Sequence, residues 1–127
     1  ITPIICSRSE RKVIKTERGN RILLSAMKQS LKCHLPKLNE AISLNDFINQ
    51  DLKGAKYIAH CEDGKKNELK KVNKTDKTLI LIGPEGDFSP KEIALALQNQ
   101  FKAVSLGTSR LRTETAGIVA VHTINIK

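Results

Sequence analysis

Short runs of consecutive apolar residues recur along this chain of 127 residues. Such runs are typical of strands that are buried on both faces of a parallel sheet. They predict four strands, over residues 1–6, 57–60, 78–82 and 103–106. Helical periodicity separates these runs, and the alternation predicts a single α/β domain with a mainly parallel sheet.

Apolar residues at helical spacing predict three helices. An amphipathic helix is expected over residues 17–31, and its apolar stripe consists of Leu23, Leu24, Met27 and Leu31. A shorter helix is expected over residues 43–52, with one apolar face formed by Leu44, Phe47 and Ile48. A third helix should begin at Ser89, with Pro90 at its first position and Glu92 three residues after the cap. Its buried stripe is predicted to be Ile93, Leu97 and Phe101.

Two segments are open to more than one interpretation. Residues 64–77 are polar, and we expect a surface loop that either contacts phosphates or is simply solvated. The lysines of this loop are Lys65, Lys66, Lys70, Lys71, Lys74 and Lys77. Residues 113–126 contain an apolar run that fits both a strand and a buried helix, and Gly117 disfavours the helix by about 1 kcal/mol.

The charge of the chain favours a polyanionic partner. Lys and Arg number 22 against 13 Asp and Glu, which gives a net charge of +9. Nucleic acid is the commonest polyanion that proteins bind, although a lysine-rich solvated surface also explains the charge. With three Phe, one Tyr and no Trp, the chain is not expected to bind single strands on stacked aromatic side chains.

The cysteines indicate a reducing compartment. Their number, three, is odd, and no spacing resembles a disulfide framework. Cys33 and Cys61 each adjoin a histidine but form no CxxC or HxxxH unit, so no metal is expected. The sequence has no secretory segment and no apolar run of membrane-spanning length, which predicts a soluble cytoplasmic protein. The chain opens with Ile1 in a strand-like segment, so we expect an N-terminal portion to precede it.

Two loops with special backbone residues each follow a predicted strand. The first, at 83–86, reads GPEG, and the second, at 107–115, reads GTSRLRTET. Ligands of open α/β sheets bind outside the carboxyl ends of the strands, and glycine there lets the backbone approach a flat ligand. Each loop alone is also typical of an ordinary turn, but the two together predict a binding site.

The same loops resemble the signatures of a known family. The segment LIGPEGDFS at 81–89, followed by Glu92 and Ile93, and the segment LGTSRLRTETA at 106–116 resemble those of the ribosomal RNA small-subunit methyltransferase E family. The early residues RSER at 8–11 and QS at 29–30 are also similar to that family. Asp87 stands where the family usually has Gly, and we expect its side chain to narrow the pocket or to add a charge to it. Arg110 occupies a position that varies in the family.

That family belongs to the SPOUT methyltransferases. The resemblance implies a mainly parallel sheet with helices on both faces and a deep C-terminal trefoil knot. It also implies a homodimer that binds S-adenosyl-L-methionine and methylates N3 of a uridine in small-subunit ribosomal RNA. Residues 1–127 would form the methyltransferase domain, truncated at its N-terminus and without the family's PUA-like RNA-binding domain. A non-catalytic RNA-binding module of this fold and a SPOUT methyltransferase of transfer RNA are the alternatives.

The loops and the resemblance together predict the site residues. The cofactor is expected to contact His60, Leu81, Ile82, Gly83, Pro84, Glu85, Gly86, Leu106, Gly107, Leu111, Arg112, Thr115 and Ala116. Arg112 is the first catalytic candidate, because a guanidinium stabilises the negative charge that uracil oxygens gain when N3 loses its proton. Glu114 is the second, as a base, as a residue that orients Arg112, or as a carboxylate that only caps the final helix. Alternatively, Arg112 pairs with Glu85 or Glu114 and only holds the loop, and His60 is an ordinary half-buried histidine.

RNA contacts are expected near the start of the domain. The candidate residues are Arg8, Arg11, Lys12, Lys28 and Gln29. Basic and amide side chains of this kind contact phosphates and position nucleic acid without reading its sequence. A solvated surface is the alternative interpretation for each of them.

Overall fold

A computed structural model describes residues 1–73 and 75–126 of the chain, so Lys74 of the lysine-rich segment lies outside the described residues. The elements in chain order are β1 (Ile4–Ile5), α1 (Thr16–Gln29), β2 (Ile42–Ser43), α2 (Leu44–Ile48), β3 (Ala55–Ala59), β4 (Asn67–Glu68), a 3-10 helix (Leu69–Lys71), β5 (Thr78–Ile82), α3 (Pro90–Gln98), β6 (Lys102–Ser105) and α4 (Thr113–Asn125).

The central sheet has four strands in the order β4-β6-β3-β5, and each neighbouring pair is parallel. The register pairs Ala59 at the end of β3 with Ile82 at the end of β5 and with Val104 in β6. The carboxyl ends of these three strands therefore lie level at one edge of the sheet. The predicted α/β class and parallel sheet are confirmed.

Successive strand residues point to opposite sides of the sheet, and each side packs against other elements. Ile58 and Leu81 belong to a core that they share with residues of α2 and α3, such as Phe47 and Ala96. Tyr57 and Val104 belong to a second core with the 3-10 helix and α4. This two-sided burial explains why the central strands read as continuous apolar runs.

The predicted start of α3 is confirmed as a capping box. The Ser89 hydroxyl accepts a hydrogen bond from the Glu92 amide at 3.2 Å, and the Glu92 carboxylate accepts one from the Ser89 amide at 2.9 Å. The predicted stripe is only partly correct, since Ile93 is buried but Leu97 is 47% exposed. Phe101 is buried but lies beyond the helix, because the chain turns at Gln100 with a φ of 69°.

The first helix is correctly predicted, but its apolar stripe is not. Leu24 and Leu31 are exposed, and α1 has no fully buried residue. Leu23 and Met27 are half-buried. They lie on the same face of α1 as Gly19, which packs against Leu38. Leu31 falls outside the stripe because the chain leaves the helix there in a left-handed conformation, with a φ of 56°.

Other predicted boundaries also change. The first strand is limited to β1, which pairs in parallel with β2, a strand that the apolar pattern does not predict. Residues 64–77 are not a plain surface loop, because they contain β4 and a 3-10 helix whose Leu69 is buried. Residues 113–125 form α4, which packs through the small residues Ala116 and Ala120. Such small contacts leave no strong periodicity of large apolar residues in the sequence.

The depressed pKa of the Glu92 carboxyl group predicts that the stability of the domain depends on pH. Burial raises its pKa, but hydrogen bonds from Ser89 and from Ser7 outweigh this and hold the pKa below the ordinary 4.5. A depressed carboxyl pKa contributes stability above the unfolded value, and this is lost as the pH falls through the folded value. We therefore expect Glu92→Gln to lower the free energy of unfolding at neutral pH by about 1 kcal/mol.

Urea unfolding at neutral pH and at several pH values below 4.5 measures this difference. It should shrink as the pH falls, because the wild-type carboxylate is then protonated. Glu17→Gln, a change in the first turn of α1, is the matched control and should follow the unmodified chain. A difference for Glu92→Gln that does not vary with pH would contradict the proposed linkage.

Candidate functional site

A cleft of about 870 Å³ lies across the carboxyl ends of β3, β5 and β6. Three loops form it: the loop after β3 at 60–62, the loop after β5 at 83–87 and the loop after β6 at 106–112. The start of α4 closes one side. This is the edge at which parallel α/β sheets bind ligands, and the volume is typical of small-molecule sites.

Most of the predicted cofactor residues come together in this cleft. Those in its lining are His60, Ile82, Gly83, Pro84, Glu85, Leu106, Gly107, Leu111, Arg112 and Ala116. The second catalytic candidate, Glu114, also lines it. Residues from three separate parts of the chain thus meet because the strands that precede them, β3, β5 and β6, end level.

Three predicted cofactor residues do not line the cleft. The Leu81 side chain is buried in the core on the α2 and α3 side of the sheet, because it alternates with Ile82. Gly86 packs instead against Arg8, whose guanidinium donates to the Gly86 carbonyl at 3.0 Å. Thr115 is exposed on α4, where its neighbour Ala116 faces the cleft.

Several lining residues were not among the predicted site residues. They are Ala59, Lys66, Val104, Ser105, Thr108, Ser109, Arg110 and Thr113. Two residues that were expected at the pocket, Cys61 beside His60 and Asp87 in the first loop, line it as well. Residues 108–113 all belong to the second signature loop, so the whole loop could have been predicted to line the site. No local sequence pattern marked Lys66 as a site residue. It directly precedes β4, and the pairing of β4 with β6 brings it to the cleft.

Hydrogen bonds connect the loops that form the cleft. The Thr113 hydroxyl donates to the Gly83 carbonyl at 2.9 Å, which joins the start of α4 to the loop after β5. The Cys61 amide donates to the Asp87 carboxylate at 2.9 Å, which joins the loops after β3 and β5. Lys66 donates to the carbonyls of His60 and Glu62 at 2.9 and 2.7 Å.

His60 lines the cleft, and its surroundings disfavour the charged imidazolium. Burial lowers its pKa below the ordinary 6.5, and the nearby Lys66 ammonium lowers it further, while Asp87 and Glu62 oppose the shift. Within the described part of the chain its Nδ1 is buried and has no hydrogen-bond partner. A buried polar atom without a partner is costly, so this nitrogen is suited to a group that a ligand brings.

Two glycines of the cleft meet different constraints. A Cβ at Gly83 would lie 3.1 Å from the Phe88 ring and 3.2 Å from the Asp87 carboxylate, so the backbone there is closely covered. Gly107 has a φ of 149°, which disfavours any residue with a side chain, and a Cβ there would have no atom within 4 Å. Gly107 therefore leaves its side of the cleft open to a ligand.

Arg112 and Glu114 are both exposed at the start of α4. In residues 1–73 and 75–126 the ion pairs are Lys53 with Asp51, and Lys70 and Lys71 with Glu68. Arg112 thus forms an ion pair with neither Glu85 nor Glu114, which were its alternative partners. Its guanidinium is available to a charged ligand at the rim of the cleft.

The five predicted RNA-binding residues are all exposed. Arg8 and Lys12 also bond within the chain, to the carbonyls of Gly86 and Cys6. Lys28 and Gln29 lie in the last turn of α1, away from the cleft lining. Arg18 and Arg21, which were not predicted, share with Lys28 the face of α1 opposite Leu23 and Met27.

The described residues form neither a metal cluster nor a membrane-spanning helix. No group of three or more His, Cys, Asp or Glu side chains there is placed to hold a metal ion. None of the helices described is both long and apolar enough to cross a membrane. The three cysteines are free thiols.

The parallel sheet and the cleft across its strand ends define an α/β ligand-binding domain. The chain belongs to the RNA methyltransferase domain family, whose model matches residues 1–125. A curated relative, "Ribosomal RNA small subunit methyltransferase E" of Aquifex aeolicus, is 36% identical over 124 residues. That match covers 94% of this chain and 53% of the relative.

Solved structures are similar over the same region. A crystal structure described as a "probable rRNA-methyltransferase" from Porphyromonas gingivalis is 44% identical, with a TM-score of 0.85, and the match covers 95% of this chain and 54% of that one. Ribosomal RNA small subunit methyltransferase E from Neisseria gonorrhoeae, solved bound to S-adenosyl methionine, is 25% identical, with a TM-score of 0.82. That match covers 96% of this chain and 51% of the other. The chain therefore spans about half the length of the proteins it matches.

Proposed function

We propose that this chain is the methyltransferase domain of an S-adenosyl-L-methionine-dependent enzyme that methylates N3 of a uridine in small-subunit ribosomal RNA. The observation that carries the proposal is the cleft, in which two glycine-containing signature loops and the end of β3 meet. The names of the relatives support methyl transfer to small-subunit ribosomal RNA, and the S-adenosyl methionine bound to one of them supports the cofactor. The choice of uridine N3 follows from the family resemblance. The two signature segments support membership of the small-subunit methyltransferase E group.

The cleft fits the proposed cofactor. Ile82, Leu106 and Leu111 offer apolar surface for an adenine ring, and main-chain groups near Gly83 and Gly107 can read its edge. The unpartnered Nδ1 of His60 accepts from an amine or a hydroxyl when the ring proton is on Nε2, and donates to an oxygen when it is on Nδ1. S-adenosyl-L-methionine, when bound, supplies the methyl group.

Arg112 is the proposed catalytic residue of the chain. Methylation at N3 requires loss of the N3 proton, and negative charge then develops on the uracil carbonyl oxygens. A guanidinium placed at this charge stabilises the transition state, and it does so best without a competing carboxylate. Glu114 in the first turn of α4, which within the described residues forms no ion pair with Arg112, is proposed to accept the proton.

The RNA is proposed to contact the basic surface formed by the loop after β1 and by α1. Arg8, Arg11, Lys12, Lys28 and Gln29 are the proposed contacts, and Arg18 and Arg21 extend this surface along α1. The net charge of +9 supports a polyanionic partner. Electrostatic contacts of this kind position the RNA, and the cleft selects the reacting base.

The SPOUT fold with its C-terminal trefoil knot is part of the proposal. After β6 the chain returns to the end of β5, where Thr113 bonds Gly83, and α4 then packs against β5 and the 3-10 helix. This return path agrees with a knotted arrangement. We also propose that the full-length protein has a PUA-like RNA-binding domain. A cytoplasmic location is proposed as well, and the free thiols agree with a reducing compartment.

Cofactor binding is tested by Gly107→Ala with Gly64→Ala as its matched control. Both glycines have a positive φ, 149° and 141°, and open space at Cβ, but only Gly107 lines the cleft. We expect both changes to cost similar stability, about 1–3 kcal/mol. Calorimetry with S-adenosyl-L-methionine should show weaker binding for Gly107→Ala alone. Equal affinities in the folded variants would remove Gly107 from the site, and no binding by the unmodified chain would reject the cofactor.

Catalysis is tested by Arg112→Lys in the full-length protein. Lysine keeps the charge but loses the planar fork of the guanidinium, so we expect turnover to fall by about 10²–10³. Affinity for S-adenosyl-L-methionine should change little. Mass spectrometry of 3-methyluridine in small-subunit ribosomal RNA measures turnover. Undiminished turnover would remove Arg112 from catalysis, and lost cofactor binding would make it a residue of the cofactor site.

A homodimer is proposed through the outer face of α4, where Ile118 and Val121 are 70% and 63% exposed. These residues lie three positions apart and form one apolar surface. Light scattering should give twice the mass of the chain, and Ile118→Glu should shift it towards the monomer. Val13→Glu, at another exposed apolar residue, should leave the dimer intact. A monomer at high concentration would contradict this interface.

A further inference from the structure

Asp87 is the charged residue that is most deeply buried in the described chain. It is 8% exposed and lines the cleft. Its φ of 64° lies in the left-handed region, which glycine adopts freely and aspartate only at some cost. A residue that is both strained and charged at this place requires a compensating interaction.

The compensating interaction is the hydrogen bond from the Cys61 amide. It is 2.9 Å long, partly buried, and joins residues 26 positions apart. The Asp87 amide also donates to the Pro84 carbonyl at 2.8 Å, so a tight turn holds the carboxylate in place. The sequence led us to expect that the Asp87 side chain only narrows the cleft or adds a charge to it. In the structure it also accepts a hydrogen bond that joins two loops.

The loop at 60–62 depends on side chains from elsewhere in the chain. β3 ends at Ala59, so the sheet no longer orders the residues that follow. Lys66 holds two carbonyls of this loop, and Asp87 holds one amide. Because His60 and Cys61 both line the cleft, the position of this loop determines the shape of one cleft wall.

From this geometry we infer that Asp87 is a positioning residue of the cofactor site, which preorganises the loop at 60–62 through the Cys61 amide. The inference rests on the proposed function, since it assigns the loop to cofactor binding. Without the carboxylate, the loop would have to be ordered when the cofactor binds, and this cost would lower the affinity. A glycine at the same position would relieve backbone strain but could not make this bond.

The test compares Asp87→Gly with Asp87→Asn in the chain. Glycine suits the backbone conformation and removes the acceptor, so the variant should fold. Asparagine also tolerates this conformation and keeps a side-chain oxygen that can accept from Cys61, while the charge is lost. The pair therefore separates the hydrogen bond from the charge.

Two measurements are made on each variant. Calorimetry with S-adenosyl-L-methionine should show affinity about tenfold weaker for Asp87→Gly, and within about threefold of the unmodified chain for Asp87→Asn. Amide exchange without cofactor should be faster at Cys61 in Asp87→Gly alone. The amides within β3 and β5 should keep their protection in both variants, because a positioning residue does not alter the stability of the sheet.

Three outcomes would overturn the inference. Equal affinity of Asp87→Gly and the unmodified chain would show that the loop needs no preorganisation. Equal losses in both variants would assign the effect to the charge. Reduced protection throughout β3 and β5 would show general destabilisation. Failure of the unmodified chain to bind S-adenosyl-L-methionine would instead reject the proposed cofactor, while exchange at Cys61 would still report whether the hydrogen bond orders the loop.

Discussion

The parallel pairing of β3, β5 and β6 is the constraint on which the rest of the structure depends. Since these strands run in one direction and end level, the loops that leave them must share the same space. The 3-10 helix and α3, on opposite faces of the sheet, return the chain to its other edge, and the start of α4 closes one side of the loop edge. The cleft is a consequence of this arrangement, and its chemistry depends on which residues follow each strand.

The loop after β5 is the point where the cleft is joined to the rest of the chain. Phe88 at its end is completely buried, and three other segments reach the loop through Arg8, Cys61 and Thr113. A loop with a buried anchor and several polar contacts has few accessible conformations, which reduces the entropy that a bound ligand must remove. The contact with Arg8 also places the basic segment after β1 next to the loop after β5.

The surface divides into regions with different physical character. The cleft rim carries Arg110 and Arg112, and the basic face of α1 carries Arg18, Arg21 and Lys28, whereas α4 presents Ile118 and Val121. In the described residues only a few exposed lysines form ion pairs, so the excess positive charge is largely uncompensated. Such a surface attracts a polyanion, and an apolar patch beside it is typical of a protein contact.

Features that arise from local chemistry could be predicted from the order of the residues. The run at 78–82, the capping box at Ser89 and the two glycine-containing loops could all be predicted, because each depends on neighbouring residues or on burial of both sheet faces. Tertiary structure alone decided which residues meet. Lys66 reaches the cleft through β4, Leu81 faces away because of the strand alternation, and α4 is a helix because Ala116 and Ala120 fit against the sheet. The bond between Asp87 and Cys61 joins distant residues, and no local pattern specifies such a contact.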